Sequence, residues 1–238
     1  MSFMGDSITQ AGGYLRLTAY VLSTQAARLN IPPFTNAGIG GQKAENMEPR
    51  FEKDMKLGEK PAWVFISVGV NDVWHRMNQP HDPRVLEAYE INVRKMVEQG
   101  QAAGCRVVLL TPTIIQEDPD SEENKRLASY VEAMKRIAAE KKCAIVDLHG
   151  LFLKAMANRK TPVKFTKDGV HMAACGDAIM AIGVLRAMGV SDDTIGATDV
   201  TPILKVRGGG VDTTTAAHVL EVPVTRFARP ELLSILEF

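Results

Sequence analysis

The runs Trp63-Val64-Phe65-Ile66 and Val107-Val108-Leu109-Leu110 contain no polar residue. A strand with one face in water alternates apolar and polar positions, so strands like these must be covered on both faces, as in a parallel sheet flanked by helices. Around them apolar runs alternate with helical patterns, the mark of successive β-α-β units. The pattern predicts strands at 2–5, 34–37, 62–68, 105–111 and 143–148, and helices at 13–29, 42–55, 83–103, 121–141 and 173–188. In the helix at 121–141, Leu127, Tyr130, Val131, Met134, Ile137 and Ala138 share one stripe at three- and four-residue spacing. Asp120 is placed to cap its first turn, with Glu123 reaching back. The acidic cluster Glu117, Asp118, Asp120, Glu122 and Glu123 reads as a solvated helix start rather than a metal or glycosidase site.

A chain of 238 residues, 45% hydrophobic and 24% charged, buries a real core and falls outside the composition of disordered proteins. Lys+Arg and Asp+Glu both number 28, leaving no excess positive charge to neutralise phosphates. Nucleic acid is therefore not an expected partner. The longest weakly charged stretch, 172–185, contains Asp177 and falls short of the ~20 apolar residues a spanning helix needs. Met1-Ser2-Phe3-Met4 has neither the basic region nor the apolar run of a signal peptide. Cys105, Cys143 and Cys175 lack metal-ligand spacing and read as buried thiols; Cys105 and Cys143 each open a predicted strand, which leaves a disulfide between them open.

After Gly189 the character changes. Residues 190–238 contain Gly208-Gly209-Gly210, a threonine run and two alternating apolar pieces, 203–206 and 219–224, among Pro202, Pro223 and Pro230. This is read as a C-terminal extension of a main domain at 1–189. It is either a short strand pair packed on that domain or an arm that docks on another subunit and makes a homo-oligomer.

Four segments carry chemistry. Gly5-Asp6-Ser7-Ile8-Thr9 follows the first strand and precedes the first helix, at the carboxyl end of a strand, where parallel sheets bind ligands. In Asp168-Gly169-Val170-His171, an imidazole that exchanges protons near neutrality sits three residues after a carboxylate able to orient it. Asn36-Ala37-Gly38-Ile39-Gly40-Gly41 follows the second strand, and its glycines let a backbone N–H approach a substrate closely. Gly69-Val70-Asn71-Asp72 follows the third strand and offers the Asn71 amide to the same crevice. Each alone reads equally as a turn or a cap. His75, His81, His149 and His218 have no comparable acidic turn and read as ordinary histidines.

Taken in order, GDSIT, NAGIGG, GVND and DGVH resemble the four sequence blocks of the SGNH (GDSL) hydrolase superfamily over about residues 1–189. The resemblance implies a three-layer α/β/α sandwich on a five-stranded, mainly parallel, flavodoxin-like sheet. It implies Ser7 as nucleophile, His171 as base and acid, and Asp168 as the orienting carboxylate. The implied oxyanion hole joins the N–H groups of Ser7 and Gly41 to the Asn71 side chain. Gly41 is preferred to Gly38 because the family's pattern there looks like N-x-x-x-x-G. Met172 stands where family members often carry proline, and the tail beyond 190 has no counterpart.

The expected activity is hydrolysis of short-chain carboxylic esters, O-acetylated carbohydrate among them, through an acyl-enzyme on Ser7, with no metal or organic cofactor. The loops at 74–83 and 113–119 are short and polar and offer no apolar lid for a long acyl chain. Alternatives that use the same residues are an acyltransferase and a lysophospholipase or thioesterase. Others are a non-catalytic flavodoxin-like binding module and an interaction protein acting through 190–238.

Overall fold

The computed structural model describes residues 1–25, 34–159, 163–198 and 218–220. The central strands are β1 (Ser2–Gly5), β2 (Phe34–Gly38), β3 (Trp63–Ser67), β4 (Arg106–Leu110) and β5 (Ala144–Val146). All five run parallel in the order β5-β4-β3-β1-β2, and β6 (His218–Leu220) adds to the outer edge of β2 in the opposite direction. This is the flavodoxin-like order. The chain leaves β1 to form β2 on one side and returns to form β3 on the other, which opens a crevice at the carboxyl end of β1. Register aligns the ends: Gly5 lies opposite Gly38, and Met4 opposite Ile66.

Because successive side chains on a strand point to opposite faces, each apolar run supplies two cores. Phe3, Phe34 and Phe65 point to one face, where Phe3 stacks on Phe65 with ring centroids 4.5 Å apart. Over them pack α2 (Gly13–Gln25), α8 (Leu148–Ala157) and α9 (Ala174–Ala187). Met4, Val64, Ile66 and Leu109 point to the other face, beneath α6 (Pro83–Ala102) and α7 (Glu122–Lys141). The predicted stripe of α7 is buried at all six positions.

Departures from the expected elements have local causes. The segment expected as one helix at 42–55 is broken into α3 (Ala44–Met47), a 3-10 turn at Glu48–Arg50 and α4 (Phe51–Asp54). Pro49 lies in the first turn of the 3-10 piece and has no N–H to continue the ladder. Its apolar residues Met47, Phe51 and Met55 are buried all the same. Ser121, not Asp120, caps α7, its hydroxyl accepting from the Asn124 N–H, while the Asp120 N–H donates to Asp118. The strand expected at 143–148 stops at Val146 because Asp147 caps α8, accepting from the Gly150 N–H.

Two five-residue helices, α1 (Ser7–Ala11) and α5 (Val70–Trp74), follow β1 and β3 directly, and both lie where loops were expected. After α9, α10 (Asp192–Ala197) follows, with Ile195 buried against the same core and Arg186 paired to Asp192. The apolar piece expected at 203–206, and the remainder of that at 219–224, lie outside the described residues, as does the end of the helix expected at 13–29. Cys105, Cys143 and Cys175 are free thiols, so the open disulfide is not formed; Cys105 is buried as expected, whereas Cys143 and Cys175 are only half-buried. Among the described residues no helix is long and apolar enough to cross a membrane.

Candidate active site

Asp6 follows β1 directly and caps α1, its carboxylate accepting from the Ile8 N–H at 2.9 Å. This capping makes Ser7 the first residue of α1, half-buried, with its hydroxyl over the crevice. Burial pushes the Asp6 carboxyl up to about 6, against the opposing pull of the Ile8 N–H and the charge of His171.

From the far end of the sequence the segment 165–173 closes on itself as a hairpin. Ala173 donates its N–H to the Phe165 carbonyl at 2.8 Å, Lys167 donates to the His171 carbonyl at 2.8 Å, and Thr166 bridges Met172 between them. Gly169 turns the tip with φ +95°, a conformation that favours glycine. The tip presents Asp168 and His171. His171 Nε2 lies 2.9 Å from Ser7 Oγ, and His171 Nδ1 lies 2.7 Å from Asp168 Oδ2. The other carboxylate oxygen of Asp168 accepts from the backbone N–H groups of His171 at 2.8 Å and Val170 at 3.1 Å. Partial desolvation pushes the Asp168 carboxyl up, but the His171 ring and these two N–H groups outweigh it and hold the group at about 2. Asp168 therefore stays ionised at neutral pH, fit to accept a hydrogen bond from Nδ1–H and so fix the ring's tautomer.

The glycine segment leaves β2 beside Ser7. Ile39 donates its N–H to the Gly5 carbonyl at 3.0 Å, and a Cβ at Gly40 would lie 3.7 Å from Ser7 Cβ. The Gly40 N–H is engaged by Gln10 Oε1 at 2.9 Å, whereas the Gly41 N–H meets no protein acceptor among the described residues. Gly41 takes φ +75°. Asn71, the second residue of α5, is buried and donates one Nδ2 hydrogen to the Gln42 carbonyl at 3.1 Å, which leaves the other hydrogen of that amide for a ligand. Ser7, Asp168, His171, Gly41 and Asn71 are thus gathered at the carboxyl ends of β1, β2 and β3.

Sequence reasoning missed several neighbours. Arg50 donates to Gln42 Oε1 at 2.7 Å, to Asp54 at 2.8 Å and to the Gly5 carbonyl at 3.4 Å, tying the end of β1 to the glycine segment. The Trp74 indole sets its edge against the His171 ring, centroids 6.1 Å apart at 82°. His75, read as ordinary, lies against Trp74 and 3.7 Å from where a Cβ of Gly41 would be. Glu117 belongs not to a solvated helix start but to the His171 hairpin, as described below. His149 is an ordinary buried histidine, its Nδ1 2.6 Å from the Thr113 carbonyl.

A hydroxyl, an imidazole and an ionised carboxylate in hydrogen-bonded series, with amide donors beside them at the switch point of a parallel sheet, define a hydrolase of the three-layer α/β class. The chain belongs to the GDSL-like Lipase/Acylhydrolase family, which it matches over residues 3–179. It is 28% identical to an acetylxylan esterase of Geobacillus stearothermophilus over 205 residues, covering 79% of this chain and 92% of that protein. It is 26% identical to the isoamyl acetate-hydrolyzing esterase 1 homolog of Rattus norvegicus over 194 residues, 74% of this chain and 76% of that one. The crystal structure of the Geobacillus acetylxylan esterase superposes with a TM-score of 0.71 at 27% identity, covering 80% of this chain and 94% of the other. An α/β hydrolase from the metagenome of Lake Arreo gives a TM-score of 0.71 at 25% identity over 79% and 94%. Carboxylic ester hydrolysis of the GDSL type is the activity these relations carry.

Proposed function

We propose that this esterase removes short acyl groups, acetyl foremost, from hydroxylated acceptors including O-acetylated carbohydrate, through an acyl-enzyme on Ser7. The observation that carries the reading is the unbroken series from Ser7 Oγ through His171 to Asp168. Ser7 Oγ attacks the ester carbonyl as His171 Nε2 takes its proton, and Asp168 stabilises the imidazolium that forms. Negative charge on the former carbonyl oxygen is met by the N–H groups of Ser7 and Gly41 and the second Nδ2 hydrogen of Asn71. His171 then returns its proton to the leaving alkoxide. A water activated by the same ring releases the acid.

Support for a short acyl group comes from two sides. The acetylxylan and isoamyl acetate esterases named above differ in alcohol and share the acetyl group. Trp74 and His75 stand beside His171 and Gly41, which places an aromatic surface next to the reacting atoms. Such a surface suits the face of a sugar ring. In this reading residues 1–189 hold the catalytic machinery and 190–238 form an extension.

The test is a rate series on p-nitrophenyl esters from acetate to palmitate, run beside acetylated xylooligosaccharides. The reading predicts that kcat/KM is highest at acetate or propionate and that acetate is released from the acetylated sugars. A maximum at eight carbons or more would contradict it.

A further inference from the structure

We infer that Glu117 is a positioning residue that sets the His171 imidazole against Ser7. The inference rests on the reading of Ser7, His171 and Asp168 given above. Glu117 lies in the segment after β4, and one of its carboxylate oxygens accepts three hydrogen bonds. These come from the backbone N–H groups of Phe165 at 2.8 Å and Thr166 at 2.9 Å, and from the Thr166 hydroxyl at 3.0 Å. The other oxygen accepts from Arg159 Nη1 at 2.7 Å, and that guanidinium also donates to the Val163 carbonyl and lies over the Phe165 ring. Desolvation pushes the Glu117 carboxyl up, but its bonds to Thr166, Phe165 and Arg159 outweigh it and hold the group below the usual range.

Phe165 and Thr166 form the base of the hairpin whose tip carries Asp168 and His171. The residue before Glu117 holds the tip. Gln116 donates its N–H to the Gly169 carbonyl at 2.7 Å and adopts φ +62°. Two consecutive residues thus grip the hairpin on either side of Asp168, at 165–166 and at 169. Both lie in the segment that follows β4, a strand joined through β3 to β1, after which Ser7 opens α1. The polar partners of Glu117 are Arg159, Phe165 and Thr166, not Ser7, Gly41 or Asn71, so it acts on the reaction through the hairpin. A shift of the imidazole by about 1 Å costs on the order of a hundredfold in rate, because proton transfer needs reacting atoms held in one geometry.

The experiment compares Glu117→Ala and Glu117→Gln in the full chain, assayed well below the melting temperature of each, with Ser7→Ala as the reference. The glutamine keeps an acceptor oxygen for Phe165 and Thr166 and gives up the charge and the second acceptor that Arg159 uses. Glu117→Ala is expected to lower kcat by about ten- to a hundredfold with KM for p-nitrophenyl acetate within twofold. Glu117→Gln is expected to recover to within about fivefold of the parent kcat. The low-field proton resonance of the His171 Nδ1–Asp168 bond should weaken or move upfield in the alanine variant and return in the glutamine one. A folded Glu117→Ala enzyme with parent kcat and parent resonance overturns the inference, as does a rise in KM at constant kcat. If Ser7→Ala itself retains activity, it is the underlying reading of the triad that fails, not the hairpin geometry.

Discussion

His171 Nε2 and Ser7 Oγ lie 2.9 Å apart although 164 positions separate them in the chain. One is set by the capped start of α1 after the central strand, the other by a hairpin tip ahead of α9. In the mechanism proposed above, that meeting makes one the nucleophile and the other its base.

If Asn71 is the side-chain donor to the oxyanion, Asn71→Ala lowers kcat by ~10² to 10³, the cost of removing one such donor elsewhere. KM should change little, because the donor binds charge that develops only in the transition state. Steady-state kinetics on p-nitrophenyl acetate decide this. An unchanged kcat removes Asn71 from the role.

Asp168→Asn should keep the fold and lose most of the rate, up to ~10⁴, since an amide no longer dictates the imidazole tautomer. The carboxyl is held at about 2 in the folded protein. Its folded value is depressed, so the stability it contributes is present above the unfolded value near 3.8 and lost as pH falls toward 2. A pH–rate profile of the parent enzyme should accordingly show no ionisation assignable to Asp168 between pH 4 and 9. Full recovery of the asparagine variant at high pH would give the carboxylate another role.

Asp72 behaves in the opposite sense. It is buried, and its two oxygens share one Ala44 N–H at 3.4 Å each. Burial, opposed by that N–H and by Arg76, pushes its carboxyl up to about 7. The folded protein therefore binds the proton more tightly than the unfolded chain, and stability falls as pH rises from about 4 through 7. Asp72→Asn, which needs no charge buried, is expected to raise Tm by a few degrees at pH 8 and to lose that advantage by pH 4. Calorimetry at the two pH values checks it, and an equal shift at both would show that titration plays no part.

Gly41→Ala tests backbone geometry without a clash. A Cβ there would meet only His75 Cε1, at 3.7 Å, but the φ of +75° costs a non-glycine residue about 1 kcal/mol or more. The loop is expected to relax and carry its N–H away from Ser7, lowering kcat by at least tenfold while Tm falls by only a few degrees. Parent kcat in the alanine variant would assign the backbone donor to another residue.

How much of this was legible depends on how local each feature is. The strands were readable because Val64, Phe65 and Ile66 in β3 and Val107, Val108, Leu109 and Leu110 in β4 are buried on both faces, which leaves unbroken apolar runs. The helices α1 and α5 were not, since five residues carry no helical period. The helix α8 was not read, and its first residue, Leu148, was taken into a strand because Val146 and Leu148 are both apolar and only the Asp147 cap divides them. The four motifs could be read because each places its own backbone by a turn or a cap. Arg50 and Glu117 gave no such signal. Arg50 acquires its role from a carbonyl 45 positions away and Glu117 from a threonine 49 positions away, and an acidic residue before a helix looks like a cap until that partner is known.

In the proposed mechanism, ester cleavage passes through covalent attachment of the acyl group to Ser7. Rapid quench of the enzyme with p-nitrophenyl acetate, followed by peptide mass spectrometry, tests it most directly. A burst of p-nitrophenol stoichiometric with enzyme and one acetyl group on the peptide containing Ser7 are expected, both absent in Ser7→Ala. An acetyl group on another residue, or parent turnover in the alanine variant, would contradict it.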